Sequence, residues 1–127
     1  MDKRLCKNIT VSKLEIEIRN KLKSKFKIKP QFRIIDDDKN YFYDIKIDNV
    51  LIEIQGLYWH ADKRFYKETD IVHNELAKDI WQHDENKKLV GERNNYYILY
   101  VYEYDYILNK EKTLNKLMNE IYQFRNN

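Results

Sequence analysis

Two acidic residues, Asp44 and Glu53, lie within short β-like runs whose neighbouring residues are apolar. Acidic side chains are depleted from strands because they pack poorly and lose solvation when they are half buried. If both side chains point to one face of a hairpin, their carboxylates converge, and such a pair suits a divalent cation such as Mg²⁺. The alternative is that both carboxylates face solvent on the polar side of an amphipathic hairpin.

A second group of residues follows directly after the run that carries Glu53. Gly56 ends that run, and His60 comes four residues later. A histidine at a strand end beside two carboxylates can take a proton from an attacking water molecule. Three nearby aromatic side chains have rings that could stack on nucleobases or wedge between them: Tyr58, Trp59 and Phe65. The alternative is that the aromatic residues belong to the core and that His60 lies on the surface.

Hydrophobic periodicity predicts the elements that must position these residues. Apolar residues recur every four positions from Val11 to Phe26, which predicts a helix, and Ser12 with Glu15 matches a capping box. Alternating runs predict strands over Gln31–Ile35, Tyr41–Ile47 and Val50–Gln55, with a two-residue turn at Asp48-Asn49 between the last two. Pro30 is expected to close the segment before the first strand.

The second half of the chain has one aromatic and β-branched run between two helical patterns. We expect a helix over about 71–92, a central strand at Tyr96–Glu103 covered on both faces, and a last helix near 110–125. The order αβββαβα predicts an α/β fold in which a mixed sheet of about four strands is flanked by helices. The length of 127 residues predicts a single domain, residues 1–127.

The composition excludes several classes of protein. With two Gly and one Pro, the chain has no Gly-rich phosphate loop and no Pro-rich linker. One cysteine, Cys6, excludes an internal disulfide and a multi-cysteine zinc site. No apolar run approaches the roughly 20 residues of a membrane helix, and the first ten residues lack the apolar stretch of a secretory signal. We therefore expect a cytoplasmic protein that does not interact with membranes.

Positive charge is concentrated in the first 30 residues, which contain ten Lys and Arg against three Asp and Glu. Lys21 and Lys25 are part of this basic segment. Such asymmetry favours a surface for polyanions. The alternative is a lysine-rich face that is simply solvated.

The order of these motifs resembles the core of the PD-(D/E)XK nuclease superfamily. The closest resemblance is to its branch of very-short-patch (Vsr-like) mismatch endonucleases, DUF559-type proteins and EDxHD homing endonucleases. It rests on Asp44, on Ile-Glu53-Ile-Gln55-Gly56 and on Tyr-Trp-His60, and it extends from about residue 12 to 105. Asp84-Glu-Asn-Lys87 resembles the motif of the second helix, and Tyr97 to Glu103 resembles the last strand.

The resemblance implies a restriction-endonuclease-like fold and a metal-dependent DNA endonuclease or nickase, a phosphodiester hydrolase. Asp44 and Glu53 would bind Mg²⁺ (or Mn²⁺), and His60 would activate water. Glu15 corresponds to the helix glutamate of the branch, although Glu15 is also explained by the capping box. Asp84 and Glu15 would bind a second cation or orient His60 and Lys87. The expected partner is double-stranded DNA, with a homodimer or a separate targeting protein to add specificity, and a phage-encoded protein acting in the host cytoplasm fits the same resemblance.

The sequence departs from the branch at Gln55, where an Asp or, in the wider superfamily, a Lys is usual. Gln is neutral, so it cannot act as a base and binds a metal only weakly. Lys87 could supply the positive charge from the helix instead. Two other functions stay open: a nucleic-acid-binding module with a decayed nuclease site, and an interaction protein whose lysine-rich helix binds an acidic partner.

Overall fold

The computed structural model describes residues 12–126, which form a mixed α/β fold with a four-stranded sheet, a two-stranded ribbon and four helices. Ser12 caps the first helix as expected, since its hydroxyl accepts a hydrogen bond from the Glu15 N–H at 3.1 Å. The elements follow the chain in this order: α1 (Lys13–Lys23), β1 (Lys29–Asp36), β2 (Lys39–Ile47), β3 (Val50–Gln55), β4 (Ile71–Val72), β5 (Glu75–Leu76), α2 (Ala77–Arg93), β6 (Tyr97–Tyr102), α3 (Glu103–Leu108) and α4 (Lys110–Phe124).

The main sheet has the strand order β1-β2-β3-β6. The first two pairs are antiparallel, and Ile47 opposite Val50 confirms the two-residue turn at Asp48-Asn49. β3 and β6 are parallel, which requires a crossover connection, and α2 lies within it. The sheet is therefore mixed, as predicted.

Helices cover both faces of this sheet. One core cluster combines α1 and α4 with residues from three strands: Ile18, Leu22, Phe26, Ile45, Ile47, Val50, Ile52, Ile54, Leu99, Val101, Tyr106, Leu117 and Ile121. The opposite face packs against α2 through a smaller cluster: Ile34, Tyr43, Leu51 and Val90. Residues that point to the α2 face are therefore placed beside one helix, and the candidate site lies there.

Three boundaries differ from the sequence predictions. The helix predicted over 71–92 begins at Ala77, because β4 and β5 form a small ribbon whose turn residues, His73 and Asn74, have positive φ angles of 36° and 69°. Pro30 lies inside β1 rather than before it, and β1 is at the sheet edge, where proline is tolerated because one side of the strand has no neighbouring strand.

The last strand also differs from the prediction. β6 is covered by helices, but it is the other edge of the sheet rather than a central strand. It stops at Tyr102, and Glu103 begins the short helix α3, which the sequence did not predict. Cys6 and the first ten residues lie outside the described residues. Between residues 12 and 126 the structure has no helix of the length and apolarity needed to span a bilayer.

Candidate active site

The site begins where the ladder between β2 and β3 stops. These strands pair from Ile47↔Val50 to Ile45↔Ile52, and the next positions are occupied by Asp44 and Glu53. At these positions, hydrogen bonds from backbone N–H groups to side-chain carboxylates take the place of the backbone hydrogen bonds of the ladder. The Ile54 N–H donates to the Asp44 carboxylate at 2.7 Å, and the Asp44 N–H donates to Glu53 Oε1 at 3.0 Å. Both acids are buried, so the solvated-hairpin alternative is wrong for this pair.

The side-chain alternation of β2 breaks at Asp44. Tyr43 packs in the cluster beneath α2, whereas Ile45 packs in the cluster on the opposite face, although residues two apart normally share a face. Gln31 lies opposite Asp44, between the pairs Pro30↔Ile45 and Phe32↔Tyr43, and has a φ of 50°. A positive φ at a non-glycine residue is strained, and such strain concentrates at functional sites.

Gln31 also connects β1 to α1. Its Nε2 donates to Glu15 Oε2 at 2.9 Å, and Arg19 donates to the same oxygen. Glu15 is 3% exposed, so helix α1 contributes a buried carboxylate next to the strand position that faces Asp44. Sequence reasoning missed Gln31, because its role depends on pairing between β1 and β2 and on a backbone conformation that no local motif signals.

Lys87 reaches Glu53 from helix α2. Its Nζ donates to Glu53 Oε2 at 2.5 Å, and both side chains are buried. Tyr43 supports this lysine by donating its hydroxyl to the Lys87 carbonyl at 2.6 Å, with Nζ 5.1 Å from the ring centre. Burial, together with the Glu53 charge, raises the pKa of Tyr43, so the hydroxyl stays a donor. The side chain of Lys87 on α2 thus lies directly beside the carboxylate of Glu53 on β3.

His60 is paired with the helix residue Asp84. Nδ1 of His60 and Oδ2 of Asp84 are 3.0 Å apart. A carboxylate at Nδ1 favours the tautomer with the proton on that nitrogen, which leaves Nε2 as the basic atom. Because Asp84 and Lys87 are separated by three residues on α2, one helix face presents both the partner of His60 and the partner of Glu53.

The loop after β3 is held by aromatic and ionic contacts. Tyr58 and Trp59 are 45% and 38% exposed, and both rings contact His73 of the β4–β5 turn. Phe65 is 49% exposed and packs against Tyr104 at 4.8 Å between ring centres. The aromatic residues proposed to touch DNA are therefore accessible rather than core residues.

Arg64 ties this loop to helix α3. It donates to Asp62 Oδ2 at 2.7 Å and to Asp105 Oδ1 at 2.6 Å. The hydrogen bond from Arg64 holds the pKa of Asp62 below its ordinary value, and the two carboxylates raise the pKa of Arg64. The loop is thus fixed to a neighbouring helix, which gives the adjacent His60 a defined position.

The remaining predicted residues lie apart from this cluster or add little to it. Lys21 and Lys25 are exposed at and after the end of α1. Gln55 ends β3 and is 6% exposed. Within residues 12–126 no group of three or more His, Cys, Asp or Glu side chains is arranged to hold a metal ion.

The geometry joins Asp44, Glu53 and Lys87 through hydrogen bonds and adds the His60–Asp84 pair, in which Asp84 lies on the same helix as Lys87. Carboxylates, a buried cation and an oriented imidazole are groups that hydrolytic sites use. No protein-family model, curated protein or solved structure matches this chain.

Proposed function

We propose that this chain is a metal-dependent DNA endonuclease or nickase with a restriction-endonuclease-like fold. One observation carries the proposal: the β2–β3 ladder ends at two buried carboxylates, and α2 delivers Lys87 to one of them at 2.5 Å. Burying two acids and a lysine in one sheet costs stability relative to apolar residues. Groups of this kind are typical of sites kept for chemistry.

The side chains divide the chemistry among them. His60 accepts the proton of the attacking water at Nε2, because Asp84 faces Nδ1. Lys87 neutralises Glu53 and places a positive charge where the phosphate would approach. Glu15 and Gln31 support β1 opposite Asp44 and act as positioning residues. Exposed Tyr58 and Trp59 contact the bases.

Asp44 and Glu53 are the residues that would hold the cation. Their oxygen atoms are the donors that Mg²⁺ and Mn²⁺ prefer, although Lys87 already occupies Glu53 Oε2. The donor type fits the metal, and two protein carboxylates with waters suffice for Mg²⁺. When bound there, Mg²⁺ supplies positive charge against the negative charge that develops on the phosphate.

A second function is favoured by the same lysine. Lys87 bound to Glu53 satisfies that carboxylate without a metal, and the described residues contain no group of three metal-binding side chains. A chain with these features could bind nucleic acid without cutting it. Gln55, in place of an acidic or basic residue, is consistent with this second function.

Incubation of the chain with supercoiled plasmid separates the two functions. The assay contains Mg²⁺ or Mn²⁺, with parallel reactions in EDTA, and the same samples are run on a filter-retention assay at rising salt. The nuclease predicts relaxed or linear plasmid only with metal. Salt-sensitive retention without cleavage in either metal would contradict the nuclease and support the binding module. Absence of both cleavage and retention would contradict both functions.

A further inference from the structure

A cavity of about 490 Å³ opens beside the candidate site. Pockets for small ligands and nucleotides commonly have volumes of about 300–1,000 Å³. Asp84, the partner of His60, lines this cavity together with Gln55, and the aromatic residues Trp81, Tyr100 and Tyr102 line it as well. The cavity therefore has an aromatic wall and reaches the candidate site at Asp84.

The aromatic residues of the wall come from two elements. Tyr100 and Tyr102 lie two residues apart on β6, with ring centres 6.2 Å from each other. Trp81 of α2 is fixed by its Nε1, which donates to the Ala61 carbonyl at 2.7 Å. Burial raises the pKa of Tyr100, so its hydroxyl stays protonated. Such rings give flat apolar surfaces on which a base can stack.

Gln55 provides a polar group in this cavity. It is 94% buried, with 6% of its surface exposed, and its side-chain amide makes no hydrogen bond to another of the residues 12–126. An amide offers a donor and an acceptor side by side, which is the pattern that matches the edge of a nucleobase. The amide atoms of Gln55 are not among the fully buried unpartnered atoms, so the amide is accessible from the cavity, where the edge of a ligand can hydrogen-bond to it.

The charges of the lining favour a base over a phosphate. Three cations and four carboxylates line the cavity, and one of those cations, Arg64, is already bound by Asp62 and Asp105. Lys63 lies over the Trp81 ring, with Nζ 5.0 Å from the ring centre. A phosphate inside would meet more negative than positive charge, whereas the amino groups of a base would meet acceptors.

We infer that this cavity binds one unpaired nucleobase of the nucleic acid substrate, read by Gln55 and stacked on the aromatic wall. The inference rests on the proposed function for the presence of nucleic acid. A paired base cannot enter such a cavity, so the preferred substrate carries a single-stranded or extruded nucleotide next to the scissile phosphate. Fully paired DNA would bind more weakly, because unpairing and unstacking one of its bases costs free energy.

The test is a binding measurement in EDTA with two fluorescein-labelled DNA duplexes of the same sequence. One is fully paired, and the other carries a single unpaired adenosine. Base stacking contributes about 1–3 kcal/mol, so the full chain is expected to bind the bulged duplex about 5- to 150-fold more tightly. Equal affinities for the two duplexes would overturn the inference.

Three variants locate the effect. Tyr102→Ala removes a 40% exposed ring of the wall, and Gln55→Ala removes the amide. Each variant is expected to reduce the preference for the bulged duplex at least 5-fold. The affinity of each variant for fully paired DNA is expected to equal that of the wild type. Tyr97→Ala is the matched control, since Tyr97 lies on the same strand, is 39% exposed and packs against Phe124 away from the cavity. Preference retained in both test variants would overturn the inference.

The outcome is distinguishable from that of the proposed function. Metal-dependent cleavage of fully paired plasmid, with no preference for the bulge, would sustain the nuclease and overturn the nucleobase cavity. Preference for the bulge without cleavage would sustain the cavity and contradict the nuclease. Failure to bind either duplex would overturn the cavity, and the plasmid assay would then decide the nuclease separately.

Discussion

Glu53 is a carboxylate inside a sheet whose strand is buried at every position, and its partners come from two directions. The Asp44 N–H reaches one oxygen and Lys87 reaches the other. A buried ion pair is weak as a source of stability, but removal of one partner alone is costly because the other charge stays behind. The Glu53–Lys87 pair can therefore be tested by comparing the loss of one partner with the loss of both.

We predict that Lys87→Met lowers the free energy of unfolding by about 3–5 kcal/mol, because the buried Glu53 carboxyl then has no cation beside it. Adding Glu53→Gln to Lys87→Met should recover much of the loss, since no buried carboxylate charge then faces the missing lysine. Urea denaturation measures both. Lys78→Met, at an exposed position of the same helix, is the control and should change stability by less than about 0.5 kcal/mol.

The His60–Asp84 pair has a kinetic signature. His60→Ala should lower kcat for plasmid cleavage about 10²–10⁴-fold with little change in KM, because the imidazole acts on the water and not on DNA binding. Asp84→Ala should lower kcat less, since the base remains but loses its orientation, and Asp84→Glu should restore part of the rate. His83→Ala, next to Asp84 but exposed, serves as the control. Equal kcat in His60→Ala and His83→Ala would exclude His60 as the base.

At this scale the sequence predicted part of the site. Asp44 and Glu53 were predictable as a pair because the two-residue turn sets the register of the hairpin. The role of Gln31 was not predictable, because it depends on a positive φ and on contact with α1. The break in alternation at Asp44 is likewise a tertiary effect that no local pattern encodes.

Among the elements, α2 has the most influence on the site, because it carries both Asp84 and Lys87. Its distance from the sheet depends on Gly91. A Cβ at this position would lie 2.4 Å from Cδ1 of Ile98 on β6 and 3.5 Å from Cδ1 of Leu51 on β3. Glycine therefore allows the helix to approach the two parallel strands closely.

Gly91→Val should therefore push α2 away from the sheet. We expect a loss of about 1–3 kcal/mol in stability from overpacking, together with reduced cleavage, because Lys87 and Asp84 move relative to Glu53 and His60. Thermal denaturation and the plasmid assay measure the two effects. Glu92→Val places the same side chain at an exposed position of α2 and should leave stability and cleavage nearly unchanged. Equal losses of stability and cleavage in Glu92→Val and Gly91→Val would mean that close packing at Gly91 is not the cause.

The elements themselves were largely predictable. Four-residue spacing identified α1, α2 and α4, and alternation identified β1 to β3, since both patterns follow from burial of one face. The start of α2 was wrong by six residues, because the apolar spacing continues through the β4–β5 ribbon. The short helix α3 has no pattern of its own, and packing of Tyr106 into the core helps to hold it.

At the scale of the whole molecule, the exposed lysines of the basic segment lie at or after the end of α1, whereas Asp44, Glu53 and Lys87 lie on β2, β3 and α2. Lys21 and Lys25 lie exposed on consecutive turns at and after the end of α1, within a run of exposed lysines. Phosphate contacts release counterions, so each contact steepens the fall of binding affinity with salt. This segment is the expected source of general affinity for DNA, whereas the loop and cavity near β3 are the expected source of selectivity.

The double variant Lys21→Ala, Lys25→Ala should weaken DNA binding and reduce the slope of log K against log salt by about 2, for two lost phosphate contacts. Binding at several salt concentrations in EDTA measures the slope. Lys112→Ala with Lys116→Ala removes two exposed lysines at the same spacing from α4 and provides the matched control. An equal change in slope for both pairs would mean that DNA binding does not depend on the basic segment in particular.

Asp44 is proposed to take part in metal-dependent cleavage, and the cleavage rate of Asp44→Asn tests this role most directly. Asn keeps the shape of the side chain and an oxygen for the Ile54 N–H but removes the charge. Asp48→Asn, in the exposed turn of the same hairpin at a φ of 49°, is the matched control. In Mg²⁺ with supercoiled plasmid, we predict a rate at least about 10²-fold lower for Asp44→Asn and an unchanged rate for Asp48→Asn. Equal, EDTA-sensitive rates for wild type and Asp44→Asn would contradict the site described above.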